Sequence, residues 1–536
     1  MKTPRNTNKI LIALVGNTAQ KCSFSTTGLN AASNTVQQHL SNQKQVIEKV
    51  YAAHQEKVLN QKVNLTEDRP GDVARHNWSL GKAQVFPQYD AYRNADNETL
   101  AKKSFGQVDG EKNFLKVKQI DNTQYDRFVS QAKTSTEGYT VKDEKFHKRT
   151  QREVGWYLSY APATFTQDGC FGSANQTTCL VRVVSDNSVS GLFLKNMILP
   201  TRNIDSSLFK YDSLILHAPG FQFVPSQVVE EFSGPHPKDL GLSKEQFLFE
   251  NDQTNTSVVG GVFSPSVLLD NLAYFGARAI FTKSNGSAIV LPSDAIINKD
   301  KASTTLLINS NNTVRSALAS NNSAYTLYGA HYNVLSEFGL SRGVGGLLIE
   351  ADADSALSKS LKEGDLVEES VDGKKLKITS KLSSSVYPNV VHSPKNIVFV
   401  VEDSNFLVPL LGKVKNAQQL FASGLVNISA NATFNKSFTT FGTQRSYADA
   451  KQVAEAFAKL NKAENVYIVN GSYDSEKVQT AVSLISSGEA KSLKEEQSNT
   501  LFSTLSHSSI ENKAWKDQTK YSAAIKQLEE NIAKSL

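Results

Sequence analysis

Residues 305–320, TLLINSNNTVRSALAS, carry the groups best suited to handling a phosphorylated ligand. An apolar, strand-like run (Leu306, Leu307 and Ile308) enters a polar turn, and a helix-like stretch leaves it. Such passages bind anions because the first amides of the helix point outward and its dipole favours negative charge. Asn309, Asn312 and Thr313 make the turn, Arg315 offers a permanent cation, and Ser316 offers a hydroxyl that could face a metal. Yet the stretch contains no glycine. Glycines let successive N–H groups turn inward around a phosphate with no Cβ in the way. Asn tolerates positive φ better than most residues, whereas the β-branched Val314 resists it. The planar fork of Arg315 is a poor substitute for a compact ammonium in a tight loop. The expectation is a vestigial nucleotide-binding turn whose strand–turn–helix path serves the core.

Other reactive constellations are sparse. His331 could ligate a transition metal, but a lone histidine is more simply an ordinary polar side chain. Cys22, Cys170 and Cys179 form an odd set without C-x-x-C spacing, which argues against a disulfide framework and a zinc site. No G-x-S-x-G elbow, H-E-x-x-H pair or G-x-G-x-x-G loop occurs. No metal site and no cofactor are expected.

The elements that must position these groups follow from length and pattern. A chain of 536 residues, 39% hydrophobic and 21% charged, fits a soluble globular protein of two packed domains. The net charge of +6 is spread through mixed-sign runs such as KDEKFHKR, which read as solvated surface, and no nucleic-acid-binding motif accompanies them. Residues 1–47 contain no Asp or Glu, while Lys2, Arg5, Lys9, Lys21 and Lys44 supply positive charge among many hydroxyl residues. Residues 1–25 therefore resemble a mitochondrial targeting segment, which implies the matrix or the matrix side of the inner membrane. The apolar run ILIALVG is too short to span a bilayer, and no later run reaches ~18 apolar residues. No transmembrane helix is expected, although peripheral membrane association is allowed.

Residues 26–76 form a helical extension, with Leu40, Ile47, Val50, Tyr51 and Val58 near helical spacing. An α+β domain is expected over residues 77–286, with strands in TCLVRVVS, DSLILHAPGFQFV and GARAIFT and a core helix in SGLFLKNMIL. A second, nucleotide-type domain over residues 287–510 alternates strands (SAIVLP, TTLLI, GGLLIE, KNIVFVVE, ENVYIVNG) with helices. Its clearest helix places Val453, Ala456, Phe457 and Leu460 on one face. Residues 511–536 are a final amphipathic helix, with Tyr521, Ile525, Leu528 and Ile532 in one stripe.

In this order the segments resemble the ATP-dependent phosphoenolpyruvate carboxykinase family. LVRVVSDNSVSGLFLKNMILP is similar to that family's VRxxxExAWxxLFxxNMFIRP stretch, and FKYDSLILHAPGF to its FxPDxxIxxAPGF. VVGGVFSPSVLLDNLAYF, YPNVVHSPKNIVFVVEDSNFLVPLLGKV and VYIVNGSY follow in the family's order, so the likeness runs collinearly over residues 81–488. GVGG, at residues 343–346, and HAPG, at 217–220, fall on family turns. The resemblance implies a carboxykinase-like α/β fold of two domains: an α+β N-terminal domain and a P-loop-type mononucleotide-binding C-terminal domain. It also implies a reaction, in which oxaloacetate is decarboxylated and ATP phosphorylates the enolate with Mg²⁺ and Mn²⁺ present.

The residues that this reaction needs are missing from the matching positions. NSNNTVRSA stands where the family has GxSGTGKTT, and Ala330 and His331 replace its paired aspartates. Leu269 and Asp270 replace its lysine pair, Ser293 lies near its histidine, and Ser264 and Ser384 replace a tyrosine and an arginine. Residues 425–438 lack the arginine of a further family loop, and Arg93 alone falls on a substrate cation, as a vestigial candidate. Loss of one such electrostatic group commonly costs roughly 10²–10³ in rate. The expectation is a catalytically degenerate carboxykinase-like protein, a structural or accessory subunit of a mitochondrial respiratory, ATP-synthase or ribosomal assembly. The alternative is a working ATP-dependent carboxykinase of gluconeogenesis with a divergent site, which alone would require ATP, Mg²⁺ and Mn²⁺.

Overall fold

The computed structural model describes residues 77–535 apart from 105–106, 109–113, 119–124, 135, 202–208, 222–245, 262–264, 300–302, 320–324, 383–388, 428–432, 435–444 and 511–517. The targeting-like segment and the extension expected over residues 1–76 lie outside the described residues, as do Ser264 and Ser384. The fold is mixed α/β, and two large sheets dominate it. The first has eight strands in the spatial order Asp90–Arg93, Ala163–Phe171, Cys179–Ser185, Ser213–Ala218, Thr256–Gly260, Phe247–Asn251, Asp126–Ser130 and Thr140–Val141. Their near-continuous burial explains why TCLVRVVS and DSLILHA read as unbroken apolar runs.

The second sheet, of 11 strands, is built around three parallel neighbours: Thr304–Ile308, Asn396–Val401 and Asn465–Asn470. Ala288–Asn298 pairs antiparallel with the first of these, Leu306 facing Ala295. Beyond it lie Tyr332–Ser336 and Gly339–Arg342, and on the other flank lie Leu411–Val414 and Phe502–Ser506. A third sheet crosses the expected boundary at 286, because Leu115–Lys118 pairs in parallel with Leu366–Glu369. One continuous core also spans both halves, from Leu100, Val183 and Phe193 through Phe275 and Ile289 to Phe399, Phe457 and Ile532.

The amphipathic stripes are buried as patterned. In the helix Ala450–Leu460, Val453, Ala456, Phe457 and Leu460 point into the core, and Phe457 stacks on Phe421 with ring centroids 3.8 Å apart. In Gln518–Ser535, Ile525, Leu528 and Ile532 are buried and Tyr521 is half-buried. This helix packs on Ala417–Ser423, so its apolar stripe is an internal packing face. GARAIFT is a correction: it lies inside the helix Pro265–Lys283 and forms no strand. That helix is buried on several sides, including Leu268, Leu272, Tyr274, Phe275 and Ile280, which erases the 3.6-residue period in a short window. Gly276 lets it approach the first sheet, because a Cβ there would meet the Phe171 ring at 2.5 Å. No helix among the described residues is long and apolar enough to cross a membrane.

A buried charge network ties the halves together. Arg445, just ahead of the helix Ala450–Leu460, reaches the first sheet, where its Nη1 donates to Glu250 Oε2 at 2.8 Å. Its Nη2 donates to Asp252 Oδ2 at 2.5 Å, and all three side chains have no exposure to solvent. Asp252 also meets Arg278 at 3.1 Å, and Arg445 lies over the Tyr274 ring at 4.8 Å. Burial raises the Glu250 carboxyl to about 7 against the pull of Arg445. Burial also works to raise Asp252, but Arg445 and Arg278 outweigh it and hold that carboxyl below its usual value. Removing one member of such a cluster leaves an uncompensated buried charge. Arg445→Met should therefore lower the unfolding free energy by about 3–5 kcal/mol, read as a lower urea midpoint, whereas a midpoint equal to the parent's would show that the network contributes little.

Candidate functional site

The turn expected to bind phosphate follows the strand Thr304–Ile308 at the carboxyl edge of the parallel strands, where open α/β sheets usually place ligands. Its reversal is made by Asn309, at φ 61°, a conformation that asparagine accepts. The next helix begins at Asn312, so Val314 sits inside it and is fully buried. The feared clash at Val314 is thus avoided, because the left-handed position falls five residues earlier.

The turn and the start of the helix are bonded to the chain's own side chains. The Asn311 side-chain oxygen accepts from Val314 N at 2.9 Å, capping the helix. Its Nδ2 donates to Glu402 Oε1 at 2.9 Å and to Gly471 O at 3.1 Å, binding the turn to the ends of the other two parallel strands. Gly471 permits this closeness, since a Cβ there would stand 2.8 Å from Asn311 Nδ2. Asn309 Nδ2 donates to Val400 O at 3.3 Å. Asn312 clamps the backbone of Glu350 in both directions, each bond 2.8 Å long. Thr313 is half-buried in the first turn of the helix.

Arg315 turns back from the edge. Its Nε donates to Asp294 Oδ1 at 3.2 Å and its Nη2 to Ser310 O at 3.0 Å, leaving the side chain only 14% exposed. Asp294 is fully buried on the strand Ala288–Asn298 and also accepts from His331 N at 2.8 Å. The Ser316 hydroxyl oxygen is shielded from solvent. A triphosphate with its metal needs outward amides, a free cation and reachable oxygen ligands. These residues do not fit that group.

The metal positions suggested by the resemblance are equally altered. Ala330 is fully buried. His331 adopts φ 64°, and its Nε2 accepts from Leu348 N at 2.8 Å, so that nitrogen's lone pair is engaged. Burial and then the Arg315 charge hold its imidazole well below the usual value, so it is neutral. Ser293 donates to Leu291 O at 3.1 Å within its own strand. Of the loop at 425–438, the described parts are the short strands Leu425–Asn427 and Thr433–Phe434.

Arg93 is not brought to this turn. It lies on the edge strand Asp90–Arg93 of the other sheet, where its Nε donates to Asp168 Oδ2 at 2.7 Å. Asp168 is shared with the buried Arg182, which grips it through two bonds of 2.7 and 2.8 Å. Both guanidiniums lie over the Phe209 ring, at 5.9 and 5.3 Å. Asp294 and Asn311 are the residues shaping this turn that sequence reasoning missed. Asp294 lies two residues beyond the end of the strand-like run SAIVLP, although the strand itself continues to Asn298, and Asn311 was one polar residue among several in its turn.

Asp270 stands where the resemblance places a lysine, and it ties the helix Pro265–Lys283 to the second sheet by accepting from the Tyr332 hydroxyl at 3.2 Å. Burial lifts its carboxyl to about 7, with the Tyr332 bond and the Arg127 charge pulling the other way. No protein-family model and no curated protein matches the chain.

Asp270 gives a signed prediction. Its carboxyl moves from 3.8 to about 7 on folding, so the folded protein takes up a proton. The stability that it contributes is complete below pH 3.8 and is lost as pH rises through about 7. Asp270→Asn cannot ionise, so it should gain on the parent by about 1 kcal/mol or more between pH ~5 and pH ~8 in paired urea titrations. A difference between parent and variant that stays constant with pH would contradict the linkage.

Proposed function

We propose that this chain is a catalytically degenerate carboxykinase-like scaffold, acting as a structural or accessory subunit of a mitochondrial multiprotein assembly. The observation that carries the reading is the self-bonded turn. The Asn311 carboxamide takes the helix cap, and Asp294 holds the one cation of the turn facing away from the ligand edge. A working phosphoryl-transfer site depends on preorganised charge aimed at the transferring group. Here the Val314 amide, the Arg315 guanidinium and the His331 imidazole of the matching positions are engaged within the protein. The mitochondrial part of the reading is supported by the acid-free, basic and hydroxyl-rich start of the chain.

The reading makes two linked predictions. The purified, folded full chain should show no rise in melting temperature with millimolar MgATP or oxaloacetate, since a ligand held by the native state stabilises it by mass action. Tagged protein extracted from mitochondria with mild detergent should migrate in native gels with an assembly much larger than its own 58.7 kDa. ATP-dependent formation of phosphoenolpyruvate with Mg²⁺ and Mn²⁺ would favour a divergent but active enzyme. Migration as a free monomer would remove the subunit role.

A further inference from the structure

We infer that the outer face of the helix Glu144–Tyr160, together with Phe86, is a docking surface for an anionic lipid bilayer. The helix lies on the first sheet through His147, Thr150, Val154 and Leu158, which recur at three and four residues and are buried. On the opposite side Lys145, Lys148, Arg152 and Trp156 recur at the same spacing and are exposed. Trp156 is 58% exposed and stacks on Tyr160 one turn later, with ring centroids 5.6 Å apart. Beside this pair runs the segment that carries Phe86, itself 54% exposed. Phe86 N donates to Ser159 Oγ at 2.7 Å, and Gly155 lies so close to Gln84 that a Cβ would stand 2.5 Å from its carbonyl oxygen. The segment that carries Phe86 is therefore tied to the helix at Ser159 and Gly155, with the exposed Lys82 on the same segment.

Of the large apolar side chains exposed among the described residues, two, Phe86 and Trp156, lie on this helix and the segment tied to it, and both are aromatic. Trp, Tyr and Phe are the side chains favoured at the depth of lipid headgroups, where an apolar ring and a polar edge are both accommodated. The adjoining charge is basic. The helix carries Lys145, Lys148, Arg149 and Arg152 against Glu144 and Glu153, and His147 is neutral because burial lowers it to about 4. The acidic groups are engaged locally, Glu144 with Lys148 at 2.7 Å and Glu153 with Arg152 at 3.3 Å. Lys148 and Arg152 are the partners in these pairs. The helix therefore retains a net excess of two positive charges (four basic less two acidic residues), and the complementary occupant is anionic. Lysines decide its class: they are depleted at protein–protein contacts, whereas an anionic bilayer attracts each of them and their stems extend to reach headgroups. This inference is independent of the carboxykinase reading.

The test is co-sedimentation of the full chain with phosphatidylcholine vesicles and with vesicles in which roughly a third of the lipid is phosphatidylglycerol. Binding is expected to the anionic vesicles only, and it should weaken as salt rises. Paired charge reversal, Lys148→Glu with Arg152→Glu, should cut partitioning by roughly tenfold or more. Trp156→Ala should reduce it severalfold, while Phe338→Ser, on a separate exposed hairpin, should leave it unchanged. Circular dichroism verifies that each variant is folded. Equal binding to neutral vesicles would overturn the inference, as would undiminished binding by both helix variants, which would assign the contact to the basic start of the chain. Absence of binding to the anionic vesicles would overturn it, and loss of co-migration in native gels for the same variants would then assign the face to an acidic protein partner.

Discussion

Arg445 has no access to water and no spare geometry. Its guanidinium is gripped by Glu250 and Asp252 from the first sheet and covered by the Tyr274 ring, while its backbone belongs to the second half of the chain. Moving a cation and two carboxylates out of water carries a large desolvation penalty, recovered only when the pairing geometry is close to ideal. The two halves can therefore shift against one another only by exposing that cost. Asp270 and Tyr332 add a second tie between the same halves, weaker and sensitive to proton uptake. A shared core from Val183 to Ile532 closes the remaining distance. The relative position of the sheets follows from this charge network as much as from apolar burial.

The same rule, that an enclosed polar group must find a partner, governs the edge of the parallel strands. Three strands end there, and the amides of the following helix face the place where a bound anion would satisfy them. The Asn311 carboxamide oxygen does so for one of them, Val314 N, and its nitrogen reaches the ends of the other two parallel strands. Behind it, Asp294 gathers Arg315 and the His331 amide, so a cation that could have faced a phosphate neutralises a buried carboxylate. No single substitution accomplishes this. The turn asparagine, the buried aspartate and the accommodating Gly471 act together.

Much of the framework was legible in the sequence because burial leaves a period. The stripe at Val453, Ala456, Phe457 and Leu460 and the runs LVRVVS and NIVFVV could be read because one side, or both faces, of each element meets the core. GARAIFT could not, since a helix buried on several sides has no polar interval to betray its pitch. The site was only half legible. Absence of glycine in residues 305–320 announced an altered turn, but which asparagine would reverse the chain and which would cap the helix depends on partners about 90 to 160 residues away. Arg445 and Asp168 were silent for the same reason: a charged residue looks alike in sequence whether it is solvated or locked against a distant partner.

Replacing a ligand by a side chain also changes what stability depends on. A site that awaits a phosphate leaves amides and cations poorly matched until the ligand arrives, and the folded state is then stabilised in proportion to ligand concentration. A carboxamide fixed by Val314, Glu402 and Gly471 is present at unit occupancy in every molecule. Its bonds to Val314, Glu402 and Gly471 form without any added ligand. The self-capped turn and the Arg445 network thus act in one direction, toward a single fixed arrangement of the two sheets.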